Sequence, residues 1–562
     1  MTNNLNIRTL CNLFENRRDI QIPVYQRAYS WGREQCNQFF DDLVEQKGKS
    51  YHFGLFIFEC DAEKDTYFVI DGQQRLTTAI LFFAALAKAI GARNENVIRI
   101  KEMYLTDGFR TVEEDDDYFK QIIREFTCGD KRAETISQGK IKDAFDLLGT
   151  RIEKHLKENG LEKTMNLQKS LENAKIGIFD IDNKGEASQV FEYQNNRGIS
   201  ASDFEIIKAY LIHQIYIISS PSDCESHINE VQKNISKIYR NLEAISEHFT
   251  EDDILRCWFN LYEYTQDVDY NIDGIKWCLS SENEDKPVTD ICLWIKNFFV
   301  NFEKITNAAK VLLKKNAPQI SNLFLIRRTP YWPVIMLAIV IKENTKLANE
   351  RLNRLAKLLE VLWFKYEVSS RRKDSLPEWA YYYFNEVSEE KSAFEEIYKK
   401  IEDAIDSGFG GWWTEFKEAV SKYLKEDDHF KFKATTRYVL WQYENHLREN
   451  HEHKLPRLGH KKYRAYNTIE HIQPQNTEWS YIHKLGNLTL LTKPDNSIAS
   501  SSEFDVKKQK VYKKYFDKDN PEKMRLFQFC HIIEKDTWRE QEVDERFGKI
   551  KTFVKGYFRI DS

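Results

Sequence analysis

What the chain has little of narrows its class first. Only 11 prolines and 21 glycines serve 562 residues, too few breaks for a turn-rich β architecture, so helices are favoured. Nine cysteines are scattered from Cys11 to Cys530 without a Cys-x-x-Cys pair. That pattern excludes the usual structural zinc spacing and points to a reducing, cytoplasmic setting. Long apolar runs are missing too: the longest, Val334 to Ile341, is too short to span a bilayer and reads as a buried helix, so no membrane partner is expected. The opening residues, Met1-Thr-Asn-Asn-Leu-Asn-Ile-Arg8, lack the apolar core of a secretory signal. A dominant charge is absent as well. The net charge of −5 gives no global pull toward nucleic acid, so any such contact must come from local basic patches.

What is present is the material of a folded protein, 41% hydrophobic and 14% aromatic, at a length that suggests two to four domains. Ile22-Pro23-Val-Tyr25-Gln26-Arg27-Ala-Tyr29-Ser-Trp31 reads as an extended stretch with polar and aromatic groups. Two runs of β-formers, Tyr51 to Phe58 and Thr66 to Ile70, flank a turn-like Asp61-Ala-Glu-Lys-Asp65 and predict a hairpin. The second run leads into Asp71-Gly72-Gln73-Gln74-Arg75, and Leu76 to Ile90 is apolar enough for a buried helix stopped by Gly91. A strand opening through Asp-Gly into a helix gathers backbone N–H groups, two amides and a guanidinium, a favourable anion site. The same residues also suit a capped helix whose Asp71 and Gln73 merely satisfy local backbone groups, and the pattern does not choose between these readings.

Farther on, the acidic run Glu113 to Asp117 reads as a solvated loop, with a metal site as the lesser alternative. Lys175 to Ile181 is strand-like and precedes Phe191-Glu192-Tyr-Gln-Asn195-Asn196-Arg197-Gly198; Ser202 and Glu205 then form a capping box for a helix that Ser219-Ser220-Pro221 closes. From about 222 to 440 the pattern is helical with no internal repeat. Arg327-Arg328 and Arg371-Arg372-Lys373 are basic spots within it, best read as solvated loops. Between Lys431 and Arg464 nine basic residues face three acids, interleaved with Tyr438, Trp441, Tyr443 and Tyr463, and a second cluster holds Lys507, Lys508, Lys510, Lys513 and Lys514. Two basic clusters on either side of one motif suit a polyanion; a charged surface helix is the plainer alternative for each.

That motif is Tyr466-Asn-Thr-Ile-Glu470-His471-Ile-Gln-Pro474, then Leu485-Gly486-Asn487-Leu-Thr-Leu-Leu491 and Lys493-Pro-Asp-Asn496. Phosphodiester hydrolysis needs an activated water, charge neutralisation and a stabilised leaving oxygen. His471 is a candidate base, Glu470 and the amide oxygen of Asn496 are candidate ligands for one hard cation that keeps several waters, and Asn487 is placed to brace the loop. Adjacent strand residues point to opposite faces, so Glu470 and His471 converge only where the strand ends, and Pro474 makes an ending there plausible. A histidine simply satisfied within a small β-rich module is the alternative.

The stretch from Glu470 to about Lys510 resembles the HNH, or His-Me finger, nucleases. The resemblance implies two strands and a helix around one Mg²⁺ or Mn²⁺, with His471 as general base, Glu470 and Asn496 on the metal and Asn487 structural. Many members carry Asp where this chain has Glu470, and many have zinc cysteines that are missing here. Ile22-Pro-x-Tyr25-Gln26-Arg27, Phe53-Gly54, Asp71-Gly-Gln-Gln-Arg75 and Phe191-Glu-x-x-Asn195-x-Arg197-Gly198 resemble the ParB-like N-terminal domain of GmrSD-type restriction enzymes, with Gln194 where an apolar residue is expected. The implied fold class is α+β and predominantly helical: a ParB-like α/β domain over 1–215, a helical linker over 216–430 and a ββα-metal nuclease module over 431–562. The implied function is a type IV endonuclease of anti-phage defence that cuts modified phage DNA. Its expected nucleotide (ATP or GTP) site comprises Asp71, Gly72, Gln73, Gln74 and Arg75 with Gln26, Arg27, Asn195 and Arg197. Lys507, Lys508 and Lys510 are the expected DNA contacts, and homo-oligomerisation is left open. An NTP-hydrolysing switch whose nuclease acts rarely or on RNA, and a binding module with a dead nuclease fold, are the rival readings.

Overall fold

The computed structural model of the chain describes residues 6–560 apart from 18, 24–25, 47–51, 62–64, 92–94, 128–131, 182–201, 264–268, 281–289, 316–317, 327–330, 344–348, 370–379, 383, 386–392, 408–412, 476–478 and 516–525. Two compact units emerge, Met1–Trp258 with Asp267–Lys310, and Phe259–Gln266 with Val311–Ser562. The stretch 216–430, expected as one helical domain, is therefore shared between them. Tyr25, Asn195, Arg197 and the basic spots at 327–328 and 371–373 lie outside the described residues.

The N-terminal unit carries a mixed six-stranded sheet in the order β1-β6-β3-β4-β2-β5. The strands are β1 (Asn6–Thr9), β2 (Asp19–Gln21), β3 (His52–Asp61), β4 (Thr66–Asp71), β5 (Phe109–Arg110) and β6 (Lys175–Ile181). β3 and β4 pair antiparallel as the predicted hairpin, while β6 runs parallel to β3. From β4 the chain enters α1 (Gln73–Ile90), in which every side chain from Leu76 to Ala87 is buried. No charged residue falls in that span, so the helix has no face to give to water. Gly91 ends it with φ +92°, its N–H donating to the Ala87 carbonyl.

One loop expectation fails here. Glu113 to Asp117 is not a solvated loop but the first turn of α2 (Glu113–Glu125), where acidic side chains are stabilised by the positive end of the helix dipole. Asp115 is buried and accepts from the Ser137 hydroxyl at 2.8 Å, at the start of α3 (Ile136–Glu172). Ser202 caps α4 (Asp203–Ile218) as expected, accepting from the Glu205 N–H. The Glu205 carboxylate turns inward instead, to Lys208 at 2.5 Å and the Tyr239 hydroxyl at 2.6 Å.

The C-terminal unit is built on helices, among them α5 (Asn349–Ser369) and α6 (Lys433–Glu449). A two-stranded antiparallel sheet, β7 (Thr468–His471) and β8 (Leu488–Leu491), pairs Glu470 with Thr489 and His471 with Leu488. α7 (Lys493–Ala499) follows directly and packs on β7; α8 (Phe504–Lys507) comes next and runs into a π-helical turn, Lys508–Tyr512. The small sheet is seated by α9 (Glu540–Tyr557). Arg546 of α9, fully buried, donates to the carbonyls of Gly486 (2.8 Å) and Leu488 (2.7 Å) and to Gln528 Oε1 (2.9 Å). Gly486 has to be glycine, because a Cβ there would stand 2.0 Å from the Val543 carbonyl oxygen.

Candidate active site

The β7–β8 connection is fixed from inside by Asn487. Its buried amide accepts from the Gln473 N–H at 2.8 Å and donates to the carbonyls of Gln473 (3.2 Å) and Ile482 (2.8 Å). These bonds satisfy loop backbone that would otherwise be buried unpaired, which is the bracing role the sequence suggested.

His471, at the end of β7, points into a cluster that sequence reasoning missed. Its Nε2 shares a hydrogen bond of 2.9 Å with Nδ1 of His483, and the Gln475 amide donates to its Nδ1 at 2.9 Å. The Phe430 ring lies 4.7 Å from the His471 ring and stacks on His483 at 5.6 Å. Burial drives the His471 pKa down to about 3, helped by the neighbouring His483 and the positive charge of Lys507. The ring is therefore neutral at physiological pH, its lone pair met by the Gln475 amide.

Glu470 faces a different neighbour. Its Oε1 takes a 2.5 Å hydrogen bond from the Lys507 ammonium, which also donates to the His471 backbone carbonyl at 2.7 Å. Burial raises the Glu470 carboxyl above its ordinary value, and the Lys507 ammonium offsets that only in part. The strand alternation thus persists: the carboxylate is handled on one side and the imidazole on the other. Lys507 is only 1% exposed and Lys508 is also buried, its ammonium on the Lys535 carbonyl. Both were expected to meet DNA. The structure corrects that, because the end of α8 and the start of the π-helical turn bury these two and leave Lys510 exposed.

Asn496 on α7 is half-buried, and its Oδ1 is buried without a hydrogen-bond partner. An orphaned amide oxygen on the helix that packs against the Glu470 strand fits a hard divalent ion held by few protein groups and several waters. Among the described residues no group of three His, Cys, Asp or Glu side chains forms a ready-made metal cage. Glu470 and Asn496 could supply two protein ligands to such an ion, with waters completing its shell.

In the N-terminal unit the two polar motifs do come together, largely to hold each other. Gln74 Oε1 accepts from the Ser30 N–H (2.8 Å) and its amide donates to the Ala28 carbonyl (3.2 Å). Gln26 donates to the Ile70 carbonyl (3.0 Å) and lies 3.4 Å from the Gln73 amide. Arg75 spans the carbonyls of Phe53 (3.0 Å) and Leu55 (2.8 Å) and reaches Asp71 at 3.3 Å. Two glycines make room for this. At Gly54 (φ +99°) a Cβ would sit 1.9 Å from the Arg75 guanidinium, and at Gly72 (φ +93°) it would strike Phe56. Gln26 and Arg27 border a cavity of about 780 Å³ that also receives Lys140, Tyr239, Arg240 and Glu251; Asp71, Gln74 and Arg75 do not line it.

Among the described residues no helix is long and apolar enough to cross a membrane. A search of curated proteins returns no match. Two family models do match: one described as the GmrSD restriction endonuclease N-terminal domain over residues 10–212, and one described as the GmrSD restriction endonuclease C-terminal domain over residues 414–550. The N-terminal match covers five of the sheet's six strands, β2 to β6, with the polar cluster, the C-terminal match spans the His471 cluster, and the chain belongs to the GmrSD-type restriction endonucleases.

Proposed function

We propose that the chain is a Mg²⁺- or Mn²⁺-dependent endonuclease of anti-phage defence that cuts modified foreign DNA, controlled by ATP or GTP bound in the N-terminal unit. One observation carries the hydrolytic half: a buried neutral imidazole, His471, next in sequence to a lysine-held carboxylate and near a helix whose Asn496 offers an unsatisfied oxygen. His471 takes the proton as water attacks phosphorus and the bond to the leaving oxygen breaks. Burial alone makes it a weak base, but an anionic phosphate beside it favours the imidazolium and strengthens it as the reaction proceeds. His483 and Gln475 fix the ring's orientation, and Lys507 keeps Glu470 ionised and aimed. A divalent ion bound at Glu470 and Asn496 would stabilise the charge that builds on the phosphate.

The nucleotide half rests on Gln26 and Arg27, which face the 780 Å³ cavity; Asp71 to Arg75 support them from behind. Purified protein with Mg²⁺, offered matched modified and unmodified phage DNAs with and without ATP or GTP, tests the whole proposal. We expect nicking of the modified DNA that responds to nucleotide and disappears in His471→Ala. Equal cutting of all DNAs in all conditions would refute the sensing half. NTP turnover that survives His471→Ala but is lost in Asp71→Ala would favour a nucleotide-driven switch instead.

A further inference from the structure

A second cavity, of about 710 Å³, lies within the C-terminal unit beside the candidate active site. Thr468 and Ile469, the residues leading into Glu470, form one wall together with Asn496. Trp363 of α5, Phe430, Tyr438 and Tyr463 line the rest; Phe430 is half-buried and presents ring surface, with the other three buried around it. Such rings, on fixed elements, are the surface on which nucleobases stack irrespective of sequence.

Their positions are stiffened and positively charged. The Arg437 guanidinium lies 3.9 Å from the centre of the Tyr463 ring and donates to the backbone carbonyls of Tyr466 and Tyr463. Lys433, exposed at the rim, holds its ammonium 4.7 Å from the Phe430 ring. Two of the lining residues keep unmet hydrogen-bonding capacity: Trp363 Nε1, a donor, and Asn496 Oδ1, an acceptor, are buried with no partner. A buried donor without an acceptor is costly, and a base edge carries acceptors that would answer Trp363 Nε1; Asn496 Oδ1 is the oxygen assigned above to the divalent ion.

We infer that this cavity receives one nucleobase of the bound DNA, swung out of the helix near the phosphate to be cut. The inference rests on the reading of His471 as the hydrolytic site. Its volume falls in the range of cavities that enclose whole small-molecule ligands, larger than a bare base requires, so a base bearing a bulky substituent also fits. Discrimination of modified DNA is then made beside the scissile bond, by whether the extruded base fills the cavity.

The test uses the full chain and short duplex DNAs, each with a single mismatch placed at successive positions. A mismatched base costs less to extrude, so wild-type protein is expected to bind one mismatch position roughly tenfold more tightly than the paired duplex. Ala434→Trp places a bulky ring at an exposed position on the cavity wall and is expected to erase that preference. Trp363→Phe keeps an aromatic ring, though a smaller one, but removes the N–H, and is expected to reduce the preference several-fold; melting curves check that both variants fold. Wild-type protein that binds and cuts without any position-dependent preference, or a preference unchanged in both variants, overturns the inference alone. Cutting unaffected by His471→Ala overturns the hydrolytic reading, and failure to bind any DNA overturns both.

Discussion

In the N-terminal unit the motif side chains of Gln26, Gln74 and Arg75 end on backbone groups of Ile70, Ala28, Ser30, Phe53 and Leu55. In the C-terminal unit His471 ends on other side chains, and Asn496 Oδ1 has no hydrogen-bond partner. Both clusters are polar, partly buried and set where a strand gives way to a helix or loop. The difference lies in how completely each satisfies itself. The first has used most of its hydrogen bonds to lock two stretches of chain together, with Gln73 Oε1 alone among its described motif oxygens buried and unanswered, which makes it a frame for whatever occupies the adjoining cavity. The second keeps the Asn496 amide oxygen in reserve, and its imidazole rests on the side chains of His483 and Gln475 rather than on backbone, contacts that a bound water molecule can replace.

The largest expected consequence of that contrast is kinetic. His471→Ala should reduce DNA cleavage by about 10²- to 10⁴-fold, the usual worth of a positioned general base, with little change in melting temperature. Gln74→Ala in the N-terminal frame should do the reverse, lowering thermal stability by about 1–3 kcal/mol for the backbone groups it strands, with its effect on cleavage following the fraction unfolded. If the two variants lose activity in equal measure at a temperature where both are folded, the division into frame and reactive centre is wrong.

A second contrast concerns stability. Lys507→Met leaves the Glu470 carboxylate buried and unpaired, a change that typically costs about 3–5 kcal/mol. Adding Glu470→Gln should recover much of that loss, although activity stays absent. The N-terminal counterpart is Gly54→Ala, where a Cβ must force the Arg75 guanidinium aside at a positive φ, at about 1–3 kcal/mol for the overpacking with backbone strain in addition. Denaturant titrations of the single and double variants decide both. Additive losses in Lys507→Met/Glu470→Gln would show that the two side chains are not coupled.

Acid should separate the units as well. In the C-terminal unit burial holds His429 down to about 4, His471 to about 3 and His531 to about 4. All three bind fewer protons folded than unfolded, where the ordinary value is near 6.5. Their contribution is therefore fully present above about pH 6.5 and is lost as pH falls through the folded values. For the fully buried His429 the loss is about 3 kcal/mol. Among the described histidines of the N-terminal unit only His155 shows a resolved lowering, also from burial. Tryptophan fluorescence between pH 7 and 4 should show Trp441 and Trp538 responding before Trp258; simultaneous transitions would count against this account.

Much of this was legible in the order of residues. The hairpin, the all-apolar α1 with Gly91 behind it and the Ser202 cap each follow from a local rule that the structure obeys. The brace made by Asn487 was legible because it is short-range: its amide bonds groups five and fourteen positions away. Lys507 was misread because a run of lysines looks the same whether the helix beneath it turns outward or inward, and its partner Glu470 lies 37 positions away. His483 left one usable signal, a second histidine inside the loop that Asn487 closes. The acidic start of α2 was misjudged although first-turn acids are themselves a helix signal.

The smallest expected effect probes the corrected basic cluster. Lys510 is exposed on the turn after α8, whereas Lys508, about half a turn earlier, is spent on the Lys535 carbonyl. A lysine that meets a phosphate releases about one counterion, so Lys510→Ala should weaken DNA binding uniformly across sequences and reduce the slope of log affinity against log salt by about 1. Lys508→Ala removes the same formal charge but no phosphate contact, and should leave that slope unchanged while lowering the melting temperature. Net charge cannot distinguish the two variants. A salt titration of both can, and equal slopes would mean that Lys510, too, is spent on the protein.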